Sequence, residues 1–177
     1  MIETLQDQTN VSGSDLESFL GLSSGSLTTG GVIEGSAIKQ TIVASSGDVL
    51  SFSWNFLTDQ VPSDSTFNDF AFFSLGNTVS SLADTFTPTT ISFSRLAVET
   101  GYQTYSYTIP VAGTYTLGFG VVDVGDDAVN SALLIDNVSV KLQAVPESMS
   151  STAVAAAMAF GVCLQTNLRK RSYKRQN

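Results

Sequence analysis

The sequence predicts an all-β protein, a jelly-roll-like antiparallel β-sandwich, and three observations carry that prediction. Apolar residues alternate with small polar ones in several separate runs, the period-2 signature of half-buried strands. Turn-forming clusters of Gly, Pro, Asn, Asp and Ser punctuate those runs at roughly eight- to twelve-residue intervals, as in sandwiches and barrels. Hydrophobic residues make up 42% of the chain but charged residues only 14%, so Ser, Thr, Asn, Gln and Gly must supply much of the surface. Helical bundles need Glu and Lys on their outer faces, and this composition lacks them. An up-and-down barrel is the alternative closure of the same strands.

Taken in order, residues 1–30 form a polar N-terminal segment without a clear period. One short helix is expected at residues 15–22, capped by Ser14 and closed by Gly21. Residues 31–143 read as the β-sandwich domain. A strand is expected at 37–44, then a turn at Ser45-Ser46-Gly47-Asp48. The clearest alternation follows at 49–57, where Leu50, Phe52, Trp54 and Phe56 fall on one face and Ser51, Ser53 and Asn55 on the other. A loop at 58–68 precedes a strand at 69–75, which exits through Gly76-Asn77. Weaker strands are expected around Leu82 and at 90–96. The segment 102–109 alternates well, and Pro110-Val111-Ala112-Gly113 reads as a hairpin turn into 114–122. There Tyr115, Leu117, Phe119 and Val121 share one face, and Thr116, Gly118 and Gly120 the other. An acidic loop at 123–130 leads to a last strand at 131–142.

Residues 144–177 differ in kind. Val145-Pro146-Glu147-Ser148 precedes an Ala-rich, uncharged run at 152–164, read as a short apolar helix, and then Arg169-Lys170-Arg171 in a basic tail. A permanent spanning helix needs about twenty apolar residues. This run is shorter, and its order suits transient membrane insertion through a signal that is read and processed there. The chain starts with neither a cationic n-region nor an apolar h-region, so no secretory signal peptide is expected within it.

Charge is divided along the chain. All sixteen Asp and Glu lie at or before Glu147, against three basic residues there (Lys39, Arg95, Lys141); the other five cations follow it. A body so acidic repels phosphate backbones, which argues against nucleic acid as a partner. Histidine is absent, which removes Ser-His-Asp and Cys-His catalysis. The single cysteine, Cys163, lies in the tail and leaves the domain without a disulfide or a thiolate metal site.

Residues 34–40, reading Glu34-Gly35-Ser36-Ala37-Ile38-Lys39-Gln40, residues 50–59 around Trp54, Asn68-Asp69-Phe70-Ala71-Phe72, and the stretch from Gly101-Tyr102-Gln103-Thr104 to Leu133-Leu134-Ile135-Asp136-Asn137-Val138 stand out as connected segments. Together they resemble cyanobacterial PEP-CTERM proteins. The resemblance covers about 34–140 and then the tail. It implies a sorting signal, here Val145, Pro146 and Glu147 with the apolar run and Arg169, Lys170 and Arg171, processed by an exosortase-type membrane enzyme. It also implies an exported, non-enzymatic protein of the cell surface or extracellular matrix, with extracellular polysaccharide as a candidate partner. The motif departs from the family pattern in reading Pro-Glu-Ser rather than Pro-Glu-Pro.

Acidic residues gather near the expected strand ends, and Asp59, Asp69, Asp123 and Asp136 are the candidate ligands of a calcium ion, which takes six to eight oxygens converging from several loops. Asp136 shares a strand face with Leu134 and Val138, where a carboxylate needs a partner. The domain also resembles carbohydrate-binding jelly rolls, in which an Asp of the final strand commonly holds a structural calcium. A sugar platform would draw on Tyr102, Tyr105, Tyr107 and Tyr115, since Trp54 aligns with core residues. A carboxylate-dependent glycan hydrolase would need two acids at a working separation, and nothing in the sequence marks such a pair.

Overall fold

Alternation along the strands is realised as two antiparallel sheets packed face to face. In the computed structural model the described residues are 1–4, 11–27, 31–60, 65–87, 90–92 and 96–143. The chain divides into units Met1–Gln143 and Ala144–Asn177. The second unit, with the motif at 145–147, the apolar run and the basic triplet at 169–171, lies outside the described residues.

The strands are β1 (Ile2–Glu3), β2 (Val11–Ser12), β3 (Val32–Ala44), β4 (Val49–Thr58), β5 (Phe70–Leu75), β6 (Thr78–Asp84), β7 (Thr90–Ile91), β8 (Val98–Glu99), β9 (Gln103–Thr108), β10 (Gly113–Val124) and β11 (Ser131–Lys141). One sheet runs β1-β11-β4-β8-β7, with β9 also paired to β4; the other runs β2-β3-β10-β5-β6. As the alternation requires, Leu50, Phe52, Trp54 and Phe56 of β4 point between the sheets and are buried. They meet Ala71 and Phe73 of β5, Leu117, Phe119 and Val121 of β10, and Leu133 of β11. Phe52 joins the two sheets directly, edge-on to Phe119 (4.8 Å between centroids) and to Phe73 (5.3 Å). Such edge-to-face aromatic pairs add about 0.5–1.5 kcal/mol each beyond the area they bury.

The second sheet is covered on its outer face as well. A helix, α1 (Gly13–Leu20), lays Leu16 and Leu20 on it, and these pack with Leu22, Leu27, Phe72 and Val122 in a second apolar cluster. Its cap is Ser12, not Ser14. Ser12 has extended backbone geometry, its hydroxyl accepts from the Asp15 amide at 3.2 Å, and the same hydroxyl bonds the Asp15 carboxylate at 2.7 Å. Asp15 therefore fixes the start of the helix two residues earlier than expected, and Gly21, at φ 74°, closes it as expected.

Three further expectations change. The strand expected at 37–44 begins at Val32, because β10 supplies backbone partners along its whole length, down to Val124 opposite Val32. Pro110 to Gly113 is not a hairpin: β9 pairs with β4 in one sheet, while β10 sits between β3 and β5 in the other. A turn between two alternating runs looks the same in sequence whether the chain folds back within a sheet or steps across to the facing one. The strand expected at 90–96 is instead the short pair β7 and β8, with residues 93–95 outside the described set.

Candidate functional site

β10 is the strand that makes the acidic end of the sandwich unusual. Its odd-numbered residues Leu117, Phe119 and Val121 face the core, and the same parity carries Asp123 inward, where it is only 2% exposed. The registers place Glu34 of β3 opposite Asp123 on one side. On the other, Val122 pairs with Phe70, so the next residue back, Asp69, falls opposite Asp123. Asp69 is 3% exposed. Two carboxyl groups thus meet in the interior, hydrogen-bonded to each other.

Neutral donors complete the cluster. The Val124 amide donates to Asp69 Oδ1 at 3.0 Å and the Ser131 hydroxyl to Asp69 Oδ2 at 2.7 Å. The Thr4 hydroxyl donates to Asp123 Oδ1 at 2.7 Å, and Thr4 also takes the Ser131 amide at 2.9 Å. Ser131 Oγ lies 2.9 Å from Thr58 Oγ1 at the end of β4. Burial is the largest influence on both acids and pushes both upward. The Val124 amide, the Ser131 hydroxyl and the bond from Asp123 draw Asp69 back, against the charge of Asp126. Asp123 is pushed up to about 8: the Thr4 hydroxyl opposes burial, while the charges of Asp69 and Glu34 and the bond to Asp69 reinforce it.

Of the four acids predicted as calcium ligands, the structure brings together Asp69 and Asp123 only. Asp59 is exposed and spends Oδ1 on the Ala97 amide at 2.6 Å. Asp136 is also exposed, with Oδ1 on the Asn137 amide at 2.7 Å. The face it shares with Leu134 looks outward, and a bulge between Asp136 and Ser139, with Asn137 at φ 54°, then returns Val140 to the core side. The run Ala132-Leu133-Leu134-Ile135 is apolar at both parities, so period alone does not say which face is inside. Among the described residues no three carboxyl, imidazole or thiol groups converge to hold a metal ion. In the buried pair the Asp69 oxygens are taken by Val124 and Ser131, and Asp123 is shared between Thr4 and Asp69.

Sequence reasoning missed Thr4, Thr58 and Ser131, neutral residues that no spacing rule singles out. Asp123 carried a usable signal: it interrupts Val121-Val122-Asp123-Val124 at the end of a strand apolar on both faces, so an acid there must be buried.

No protein-family model matches the chain, and comparison with curated proteins returns no match. Other surfaces must therefore be read from geometry. Trp54 lies in the core, Tyr105, Tyr107 and Tyr115 are half-buried against it, and Tyr102 alone of the four tyrosines is exposed. The outer face of β4 and its neighbours is lined by small hydroxyls: Ser51 stands between Ser139 and Ser106, and Ser53 between Asp136 and Thr104, with Ser51 and Ser139 bonded at 3.1 Å. At one edge of the sandwich, Ile38 and Ile42 of β3 and Ile135, Val138 and Val140 of β11 wall an apolar groove of about 460 Å³ floored by Leu117 and Phe119.

Proposed function

We propose that this chain is a non-catalytic surface or matrix protein: a structural β-sandwich of the jelly-roll type, exported and delivered by a C-terminal sorting signal of PEP-CTERM type. The observation that carries this reading is the boundary between the chain's two units. Met1–Gln143 forms one unit, and the Val145-Pro146-Glu147 motif begins two residues later. Cleavage at the motif by an exosortase-type membrane enzyme would release a whole sandwich and leave the apolar run and the Arg169-Lys170-Arg171 triplet behind. The jelly-roll assignment is supported by the way β3, β4 and β5, and again β9, β10 and β11, pass from one sheet to the other.

The non-catalytic reading is supported by the placement of the acids. Among the described residues Asp69 and Asp123 are brought together inside the fold, and both are sealed from solvent. A glycosidase needs its carboxylates accessible in a groove with about 5–9.5 Å between them. The polar work of this domain is done inside the fold, and its outer sheet face offers repeated hydroxyls suited to a hydrated polysaccharide matrix. The test is mass spectrometry of the protein fractionated from an exporting host, with coverage compared on both sides of Glu147. Surface material ending near residues 145–148 supports the reading. Intact protein through Asn177 confined to the cytoplasm ends it.

A further inference from the structure

We propose that a second copy of this chain pairs along the uncovered edge of β3, about a two-fold axis at Gln40, so that two sandwiches share one continuous sheet. The inference concerns the folded unit and does not rest on how the protein is delivered.

Only the start of β3 has a neighbour on its outer side. β2 reaches Glu34 and Gly35, and among the described residues no strand lies beyond Ala37 to Ala44. The register of β3 on β10 is unbroken from Glu34 to Ala44. These residues therefore present a regular row of backbone donors and acceptors, a template for another strand. The other edges are less open. A bulge interrupts the pairing of β6 opposite Ala71 and Phe72, and another bends β11 between Asp136 and Ser139, and bulges block edge pairing. β9 offers six residues, and its Tyr105 and Tyr107 are packed on the core. A lysine commonly guards an edge, but Lys39 gives its ammonium group to the Phe19 carbonyl and ring.

Charge complementarity favours a second copy as the occupant. All sixteen acids lie at or before Glu147, against three cations there, so two copies repel each other over most of their surface. Between Glu34 and Asp48 there is no acid, and Lys39 is the one charge. That acid-free stretch coincides with the uncovered edge. Two copies can meet there, each bringing a cation into the negative field of the other.

Side chains then fix the register. Ile38 lies opposite Phe119 and Ile42 opposite Tyr115, so even-numbered residues turn to the core side and Ala37, Lys39, Thr41 and Val43 to the helix side. A two-fold pairing that keeps the core side continuous sets residues of like parity opposite one another. With the axis at Gln40, Ile38 meets Ile42 of the second copy and Ala37 meets Val43, each twice. Gln40 meets itself, and Lys39 meets Thr41. Ile38 is half exposed and Val43 77% exposed in the single chain, and both gain an apolar neighbour. Ile38 and Ile42 also wall the groove over Leu117 and Phe119, and the second copy stands at its mouth. An axis at Thr41 would set Ile42 against Gln40 and Lys39 against Val43, which loses those matches.

The size of the edge sets the strength. Residues 37–44 span about 27 Å, and two sheets about 10 Å apart, with their side chains, make an edge about 20–25 Å deep. The contact is about 600 Å² per copy and about 1,200 Å² in all, the lower end of specific interfaces. That area suits a reversible dimer.

Sedimentation of the full chain over a wide range of concentrations tests this. Monomer should give way to dimer with a dissociation constant on the order of 10 µM, and more readily at high salt, which screens the repulsion between the acidic bodies. Gln40→Glu, an exposed and nearly isosteric change, sets two carboxylates across the axis. It should weaken the dimer by about tenfold or more and leave the melting temperature of the monomer unchanged. Gln40→Cys, in a chain that also carries Cys163→Ser, should form an intermolecular disulfide under mild oxidation, since opposed residues of an antiparallel pair stand about 4.5–5.5 Å apart. Val111→Cys in the same background, exposed but away from β3, should not. A monomer at every concentration would overturn the proposal. So would association that Gln40→Glu leaves unchanged, as association through residues 144–177 would be, or equal cross-linking at positions 40 and 111.

Discussion

Leu20 of α1 fills the space above Gly118 of β10: a Cβ added at Gly118 would stand 2.5 Å from the Leu20 methyl and 2.5 Å from Ser74 Oγ. Helix and sheet approach this closely because the glycine has no side chain. Gly118→Ala is therefore expected to cost about 1–3 kcal/mol through overpacking, read as a lower denaturation midpoint with an unchanged m-value. Leu20→Ala, which empties the same contact, should cost about 2–5 kcal/mol. In the double variant the two losses should fall short of additive, because the smaller residue at 20 makes room for the methyl at 118. Strict additivity would show that the close approach does not govern the site.

Ser74 gives the opposite sign. It is wholly buried beside Gly118, and its hydroxyl has no hydrogen-bond partner among the described residues. An unpaired buried hydroxyl costs about 1–3 kcal/mol in proteins. Ser74→Ala should accordingly leave the fold unchanged and raise stability by about 1 kcal/mol. A loss of stability on this substitution would mean that the hydroxyl has a partner in solution.

Lys39 ties the end of the helix to the sheet. Its ammonium group donates to the Phe19 carbonyl and sits 4.2 Å from the centroid of the Phe19 ring. The carbonyl belongs to the last turn of α1, where the helix dipole favours a cation. Lys39→Met keeps much of the apolar stem and removes the charge. It should cost about 1 kcal/mol, with part of the difference disappearing at high salt. Chemical denaturation of both proteins at low and high ionic strength measures it; equal stability of the two proteins at low salt would count against the contact.

How far the sequence reveals this molecule depends on whether a feature is local. β4 was legible because Leu50, Phe52, Trp54 and Phe56 face a core while the residues between them stay polar. Gly21 was legible as a helix stop because a left-handed cap is a property of a few consecutive residues. The sheet change at Pro110–Gly113 was not, since pairing partners are chosen by distant strands. Asp136 was misplaced for a related reason: its bulge is set against β4, and an apolar run with no clear parity hides which side is in. The acid pair illustrates the limit best. Asp69 and Asp123 were both singled out, but their meeting is created by the register of β5 on β10, and the hydroxyls that support them come from the two ends of the domain.

The pH dependence of stability should carry two slopes of opposite sign. Asp48 accepts the Ser45 amide at 2.8 Å and the Gln143 amide at 2.9 Å, and these bonds hold its carboxyl below the usual range. A depressed acid stabilises the fold above its unfolded value, about 3.9. That contribution is lost as pH falls through the lower folded value. Asp123 acts the other way: its folded value is raised to about 8. Its contribution is complete below the unfolded value near 3.9 and is lost as pH rises through the window up to the folded value. Melting temperature should accordingly peak in the mildly acidic range, falling on the acid side through Asp48 and on the neutral side through Asp123. Asp48→Asn should flatten the acid limb alone and Asp123→Asn the neutral limb alone, since the two sites share no partner. Thermal melts of the three proteins from pH 3 to 9 check this assignment; a neutral limb that survives Asp123→Asn would assign that slope to another group.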